Sequence, residues 1–179
     1  MSHRFPRAPF SFSLGCMRIT KPNRATHTYR QRLYAPAVRV FPLLCPVRET
    51  KWADGWSPEL VISSSGVAER DCVFITSDKI GKAIWYITRH EPERWFVEML
   101  RIVPGVTACR LEIQLSESAD GCFADVTYSH TSMSFAGDEF VATFTADYYQ
   151  RFMQAWEQEL NHFLKTGSRL TDDSASPDP

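Results

Sequence analysis

Apolar and polar residues alternate along residues 107–115 of the sequence, strictly so from residue 109 onward. Successive side chains of a β-strand point to opposite faces, so this segment predicts a strand with one buried and one solvated face. Such two-faced strands are typical of an antiparallel sheet that is covered on one side only. The apolar positions are Cys109, Leu111, Ile113 and Leu115.

Strand-like segments of the same kind follow one another along most of the chain. The first starts near residue 26, and turn signals then separate six more, over residues 59–65, 71–77, 82–90, 93–103, 106–117 and 122–133. Between the first two strands, proline positions favour two short helices, over residues 37–44 and 47–55. One face of the first strand is expected to carry His27, Tyr29, Gln31 and Leu33.

A long amphipathic helix is predicted near the C-terminus, over residues 137–165. Aromatic residues recur there at every fourth position, which places them in a stripe that winds slowly around the helix. Gly167 follows as a good C-terminal stop. The stripe consists of Phe140, Phe144, Tyr148, Phe152 and Trp156.

Four stretches of the sequence carry a family resemblance: VFPLLCPVRETKWADGW, SGVAERDCVF, WYITRHEPERWFVEMLRIVPG and LNHFLKTG. With the order of elements, they resemble the START-related polyketide cyclase and dehydratase-like superfamily, SRPBCC, over residues 29–167. The resemblance implies an α+β helix-grip fold. In this fold a curved antiparallel sheet of about seven strands wraps around a long C-terminal helix, and two short helices follow the first strand.

The resemblance also implies an apolar cavity between the sheet and the long helix. It is specific for the fold and not for one function. Members of the superfamily bind lipids, steroids and polyketides, cyclise substrates, or act as partner-binding co-chaperone domains. Function must therefore be argued from the residues of the site.

Length and composition indicate one domain with two tails. A chain of 179 residues, of which 44% are hydrophobic, has material for a single core. Residues 1–25 are basic and residues 168–179 are acidic, and neither stretch can bury enough apolar surface to offset its ordering entropy. The domain is then residues 26–167. Met17 is an alternative start of translation, whereas a translated basic tail would favour contact with a membrane surface.

The charge balance and the cysteines argue against several classes of function. A formal net charge of −1 provides no overall basic field that would attract nucleic acid. The five cysteines include no Cys-x-x-Cys pair and no histidine at zinc-like spacing, so we expect no metal, no cofactor and free thiols in a reducing compartment. No apolar run is long enough to span a bilayer, and the expected location is the cytoplasm.

Alternation in the last strand predicts that Tyr128 and His130 face the cavity. Ala124 and Val126 precede them on the same face, which marks it as the inner one. Histidine transfers protons near neutral pH, and a tyrosine hydroxyl can donate to a developing enolate oxygen. These two residues are the candidate catalytic pair. The alternative is that His130 is a hydrogen-bonded residue of the cavity wall with a structural role.

Arg101 is the candidate anchor for an anionic group of a ligand. It shares the predicted inner face of its strand with Trp95 and Val97, and a guanidinium binds carboxylate or phosphate in a bidentate fashion. The alternative is that Arg101 reaches solvent or pairs with an acid of the C-terminal helix, such as Asp147. Further candidate ligand contacts are Trp85, Met99, Phe140, Phe144 and Tyr148.

Two tryptophans flank an Asp-Gly turn at the expected entrance to the cavity. We expect Trp52 at the rim, where it stacks on a ligand, and Trp56 as a plug of the barrel end. Either ring is also compatible with a place in the core. The nearby Arg48 and Glu49 resemble a recurring element at the mouth of the cavity, or else form a surface charge pair of little energetic weight.

Two functions from different classes fit these features. The first is binding of a small hydrophobic or amphipathic molecule, with or without cofactor-independent cyclase- or dehydratase-like acid–base chemistry, so that an enzyme and a simple binder both remain open. The second is a protein-interaction module resembling the co-chaperone activator domains, in which bulky side chains fill the cavity and an exposed apolar patch contacts a partner. The two functions differ in the space expected between the sheet and the long helix, which is open in a ligand-binding protein and filled in the interaction module.

Overall fold

The structure, a computed structural model, describes residues 17, 19–78 and 80–170. The predictions about the two tails, including the alternative start and the membrane contact, fall mainly on residues 1–16, 18 and 171–179, which lie outside the described residues. The elements below therefore concern the region in which the domain is predicted.

Seven antiparallel strands form one sheet, as the alternation predicted. Their order in the sheet is β1-β7-β6-β5-β4-β3-β2, so the first and last strands in sequence are neighbours. The first strand begins two residues earlier than expected. The strands are β1 Arg24–Leu33, β2 Leu60–Ile62, β3 Val73–Asp78, β4 Gly81–Glu91, β5 Phe96–Val103, β6 Thr107–Ser118 and β7 Gly121–Ser132.

Two short helices lie between β1 and β2, as predicted, and each begins at or next to a proline. They are α1, Ala37–Val40, which continues into a 3₁₀ turn over Phe41–Leu43, and α2, Pro46–Glu49. Helix α2 ends well before the predicted residue 55, and turns lead from it to β2. This short helix places Glu49 and the segment after it at one end of the sheet.

The single C-terminal helix predicted over residues 137–165 is wrong, because the chain forms two helices. Helix α3 spans Phe135–Thr143, and the long helix α4 spans Ala146–Thr166. Thr145 adopts an extended conformation between them and caps α4, accepting a hydrogen bond from the Tyr148 N–H. The Nε2–H of His27 donates to the Phe144 carbonyl at 2.9 Å, which satisfies a group that the break leaves without a helical partner.

The curved sheet, the long helix α4 and the short helices make this a helix-grip fold, as the resemblance implied. The inner faces of the strands form the core, including the alternating apolar residues of β6. Two buried polar side chains tie the elements together. Gln31 of β1 donates to the Met153 carbonyl of α4, and the Tyr149 hydroxyl of α4 donates to the Val126 carbonyl of β7.

The cysteines in the described part of the chain pack in the core as free thiols. Cys45, Cys72, Cys109 and Cys122 are all buried. The free state of these four thiols matches the expectation from the scattered positions of the cysteines. Over residues 17, 19–78 and 80–170, no helix combines the length and the apolar character needed to cross a membrane.

Candidate functional site

Two adjoining cavities lie between the sheet and the C-terminal helices. The Glu49 cavity, named after the half-buried acid that lines it, has a volume of about 190 Å³. The Arg101 cavity, named after its cation, is more open and has a volume of about 340 Å³. Both are lined by Trp56, Trp85, Tyr128 and Phe152, so they are neighbouring parts of one space.

The Glu49 cavity is mainly aromatic and aliphatic. The Phe74 and Trp85 rings stack at 5.2 Å between centroids, and Trp56 meets both of them edge-on at 6.1 Å. The indole N–H groups of Trp56 and Trp85 donate to the Pro46 carbonyl and the Thr76 hydroxyl, which fixes the two rings. The remaining apolar wall consists of Ala53, Met99, Leu111, Ile113, Ala155 and Trp156.

Glu49 carries a carboxyl group into this apolar space. Burial raises the pKa of Glu49 from 4.5 to about 8, because the charged form loses its hydration there. Among the residues that the structure describes, no hydrogen bond or ion pair engages the carboxyl. Two other acids, Asp54 and Glu159, line the same cavity, and Glu159 accepts a hydrogen bond from the Asp54 backbone N–H. The Glu49 carboxyl is therefore a polar group that is available to a ligand in this cavity.

The Arg101 cavity brings together the predicted cation and the predicted catalytic pair. Arg101 is buried, and its guanidinium lies 5.5 Å from the centre of the Trp85 ring. His130 is also buried, with its ring 4.5 Å from Phe144 and 4.8 Å from Phe140. This cavity therefore combines a positive charge with aromatic walls.

His130 is neutral at physiological pH. Burial, followed by the nearby charge of Arg101, lowers its pKa from 6.5 to about 4. Its Nδ1 atom is buried and has no hydrogen-bond partner among the described residues. A neutral imidazole can accept or donate one hydrogen bond, but at neutral pH it does not supply the proton of an imidazolium.

Tyr128 stands between the two cavities and lines both. Burial is the main cause that raises the pKa of its phenol well above 10, and the charges of Cys109, Tyr149 and Glu49 add to the shift. The hydroxyl therefore stays protonated and can donate a hydrogen bond to a ligand in either cavity. Its ring lies 5.9 Å from that of His130 in a stacked arrangement.

The structure contradicts the position expected for Trp52, whereas the role expected for Trp56 as a plug stays a prediction. Trp52 is completely buried, packs against Trp156 at 5.1 Å and donates to the Leu43 carbonyl. It belongs to the core and lines neither cavity, so its prediction as a rim residue is wrong. Trp56 is half-buried and lines both cavities. Gly55 turns the chain between them with a φ of +67°.

The other predicted contact residues lie around the two cavities, and their roles in binding stay predictions. Met99 lines the Glu49 cavity and Trp85 lines both. The Arg101 cavity includes Phe140, Phe144 and Tyr148, of which Phe144 is buried and Tyr148 is half-exposed. Tyr148 and Phe152 stack at 6.4 Å at the more open side.

The resemblance placed Glu49 at the mouth of the cavity, but the sequence did not reveal that its side chain lines the cavity itself. Glu49 follows buried Pro46 by three positions, and this helical spacing puts both on one face. Because α2 has only four residues, this spacing alone is too short a pattern to predict the orientation of Glu49 from the sequence. His27 shares the inner face predicted for β1, but the helix break that it supports was not foreseen.

Comparisons with known proteins agree on the fold. No protein-family model matches the sequence, and no curated protein matches it either. Among solved structures, norcoclaurine synthase from Thalictrum flavum is similar, with a TM-score of 0.61 and 9% identity over 81% of this chain and 88% of that one. An uncharacterised protein from Rhizobium leguminosarum has a TM-score of 0.58 and 13% identity over 81% and 97% of the two chains.

CalU16 from Micromonospora echinospora is a further structural neighbour. Its TM-score is 0.50, and its sequence is 18% identical over 86% of this chain and 89% of that one. Identities this low show a common fold and nothing finer. The chemistry of the site therefore rests on the residues of this chain.

Proposed function

We propose that this protein binds a small hydrophobic or amphipathic molecule in the space between its sheet and its C-terminal helices. The observation that carries the proposal is the pair of adjoining cavities. Their walls are aromatic and apolar, and a few polar groups, Glu49, Tyr128, His130 and Arg101, are placed around them. An apolar pocket with few convergent polar groups is the usual form of a small-molecule site. One structural neighbour, norcoclaurine synthase, is an enzyme, so catalysis at such a site is compatible with the proposal.

Acid–base chemistry of the cyclase or dehydratase type is the catalytic form of this proposal. Tyr128 would serve as a hydrogen-bond donor, and His130 would act as a neutral imidazole. Glu49 supports a proton-transfer role better than His130, because its pKa of about 8 lies close to neutral pH. Binding alone accounts for the cavity, so we place it before catalysis.

The test is whether closing the cavity abolishes binding. Ala155 lies at the accessible end of the Glu49 cavity, so the A155F substitution should block it with little strain. The neutral fluorophore N-phenyl-1-naphthylamine should bind the wild type and bind A155F at least tenfold more weakly. The matched control Q158F adds the same ring at an exposed position of α4 that lines neither cavity. Equal binding by all three proteins would exclude the Glu49 cavity as the site, and a wild type that does not bind the fluorophore would overturn the proposal.

A second candidate function is association with a protein partner, and the outer face of the sheet favours it. Two rows of apolar side chains cross β2 to β5 on the face turned away from the helices, and five of them are substantially exposed. Exposed apolar patches of this kind mark interaction surfaces. The rows are Leu60, Ile75, Ile84 and Ile102, and Ile62, Val73, Tyr86 and Leu100.

Sedimentation velocity tests the candidate in its simplest form, self-association. The wild type should associate as its concentration rises, and an I84S/Y86S double variant should remain monomeric. A wild type that stays monomeric and soluble at high concentration would remove this form of the candidate. The outcome is independent of ligand binding, because both substitutions lie on the face opposite the cavities.

A further inference from the structure

The Glu49 carboxyl is an ionisable group for which the described part of the protein provides no counterion when it is charged. Helix α2 directs the side chain into the Glu49 cavity, and the adjacent Arg48 instead donates to the Pro42 carbonyl at 3.4 Å. Removing a carboxylate from water without a partner costs several kcal/mol, roughly the scale seen for buried ions. A partner supplied by a ligand would recover this cost.

The surroundings of Glu49 favour a cation as that partner. The residues that line the Glu49 cavity include three acids, Glu49, Asp54 and Glu159, and no lysine or arginine among the described residues. Asp54 lies 3.9 Å from Arg169, and Glu159 accepts the Asp54 N–H, so both have partners within the protein. Glu49 is the acid left for a ligand.

The aromatic walls add a second attraction for positive charge. Ring faces carry a negative quadrupole, and a cation within about 6 Å of an indole gains roughly 0.5–2 kcal/mol. Trp56, Trp85 and Trp156 all border the same cavity as the carboxyl.

We propose that the ligand is an aromatic or apolar molecule with a basic amine, and that Glu49 is the counterion of its ammonium group. The inference rests on the proposed binding function and specifies the ligand class. A cavity of about 190 Å³ is below the range of roughly 300–1,000 Å³ that is usual for drug-sized ligands. It therefore suits one ring system with a short amine arm, while the Arg101 cavity can take a further apolar part.

Isothermal titration calorimetry with three probes of nearly the same shape tests the proposal. The probes are 2-phenylethylamine, the neutral 2-phenylethanol and the anionic phenylacetate, at pH 8.5, where Glu49 is largely ionised. Wild-type protein should bind the amine at least tenfold more tightly than the alcohol. In E49Q the amine should lose this advantage and bind within threefold of the alcohol. The control E139Q removes an exposed acid of α3 and should change nothing.

The pH dependence provides a second readout. Tyr128 from β7, Glu159 from α4 and Asp54 from the loop after α2 line the cavity beside Glu49. Because an ammonium requires the ionised carboxylate, amine affinity should fall by up to about tenfold for each pH unit below the Glu49 pKa. Alcohol affinity should be flat from pH 6 to 8.5.

The outcomes distinguish failure of the amine proposal from failure of the proposed small-molecule binding on which it rests. Equal affinities for amine and alcohol, or an E49Q variant that keeps the amine preference, would overturn the amine proposal while N-phenyl-1-naphthylamine still reports a working cavity. Binding of that fluorophore without binding of any phenylethyl probe would also overturn it. If the fluorophore does not bind either, the cavity proposal itself fails. Unchanged alcohol affinity in E49Q shows that the variant is folded.

Discussion

Glu49 and His130 show how one apolar environment acts on two residues of opposite charge type. Burial disfavours the charged form of each, so it raises the pKa of the acid to about 8 and lowers that of the base to about 4. Both side chains are consequently neutral over much of the range around pH 7. The cavities of the resting protein thus contain few free charges, and a ligand ion would alter this balance.

Substitution of Trp52 should mainly lower the stability of the fold, whereas substitution of Trp56 should mainly weaken ligand binding. The W52A substitution should lower the free energy of unfolding by about 3–5 kcal/mol, since it removes a fully buried ring together with its hydrogen bond to Leu43. The W56F substitution should cost about 1 kcal/mol and weaken binding of N-phenyl-1-naphthylamine at least threefold, because Trp56 lines both cavities. Urea unfolding and fluorescence titration measure the two effects. Weak binding by a fully stable W52A protein would contradict this assignment.

Residue orientation was predictable only where an element is long enough to show a period. Alternation in β5 and β7 placed Arg101, Tyr128 and His130 on inner faces, and the structure has them there. Helix α2 has four residues, so no period distinguishes an inward Glu49 from a surface one. Trp52 and Trp56 follow it in turns, where composition does not fix direction.

At the level of elements, the break between α3 and α4 is the feature that hydrophobic periodicity concealed. The four-residue aromatic spacing continues through Phe144 without interruption, so it predicts one helix across the break. The local signals for a new helix are Thr145 as an N-cap residue and Asp147 in the first turn. The break lets α3 pack on β7 while α4 crosses β1.

The T145A substitution should destabilise the protein by about 1 kcal/mol, because the cap of α4 loses its acceptor for the Tyr148 N–H. T145S keeps an equivalent hydroxyl and should recover most of the loss in urea unfolding. The nearby T143A is the matched control. Its hydroxyl donates within α3 to the Phe140 carbonyl, and we expect it to cost less than about 0.5 kcal/mol. Equal losses for T145A and T143A would show that the cap is not the cause.

For the whole molecule, the sequence predicted the fold but did not reveal whether side chains fill the space between the sheet and the C-terminal helices. The order of strands and helices depends on patterns along the chain, and these were clear. The volume left inside depends on how Trp56, Trp85 and Phe152 pack against one another, and small changes in rotamer open or close such a space. The stripe of bulky aromatics could have filled the grip, yet Tyr148 and Phe152 remain about half-exposed.

The pH dependence of the free energy of unfolding should report on the raised pKa of Glu49. The folded pKa of Glu49 is raised, so between pH 4.5 and 8 the folded state binds more protons than the unfolded state, and stability falls as pH rises. The folded pKa of His130 is lowered, so between pH 4 and 6.5 stability rises with pH. The contributions of Glu49 and His130 to the pH dependence of stability oppose each other up to about pH 6.5. Above that pH, only the Glu49 contribution of these two changes with pH.

We therefore expect the free energy of unfolding to fall by about 1.5 kcal/mol from pH 6.5 to 8, because the slope approaches 1.36 kcal/mol per pH unit well below the Glu49 pKa and halves at that pKa. E49Q cannot ionise, so its stability should be flat over the same interval and should exceed that of the wild type at pH 8. Urea unfolding at intervals of half a pH unit measures both profiles, with E139Q following the wild type. Parallel profiles for wild type and E49Q would mean that water hydrates the Glu49 carboxyl, which would also remove the electrostatic basis for selecting an amine.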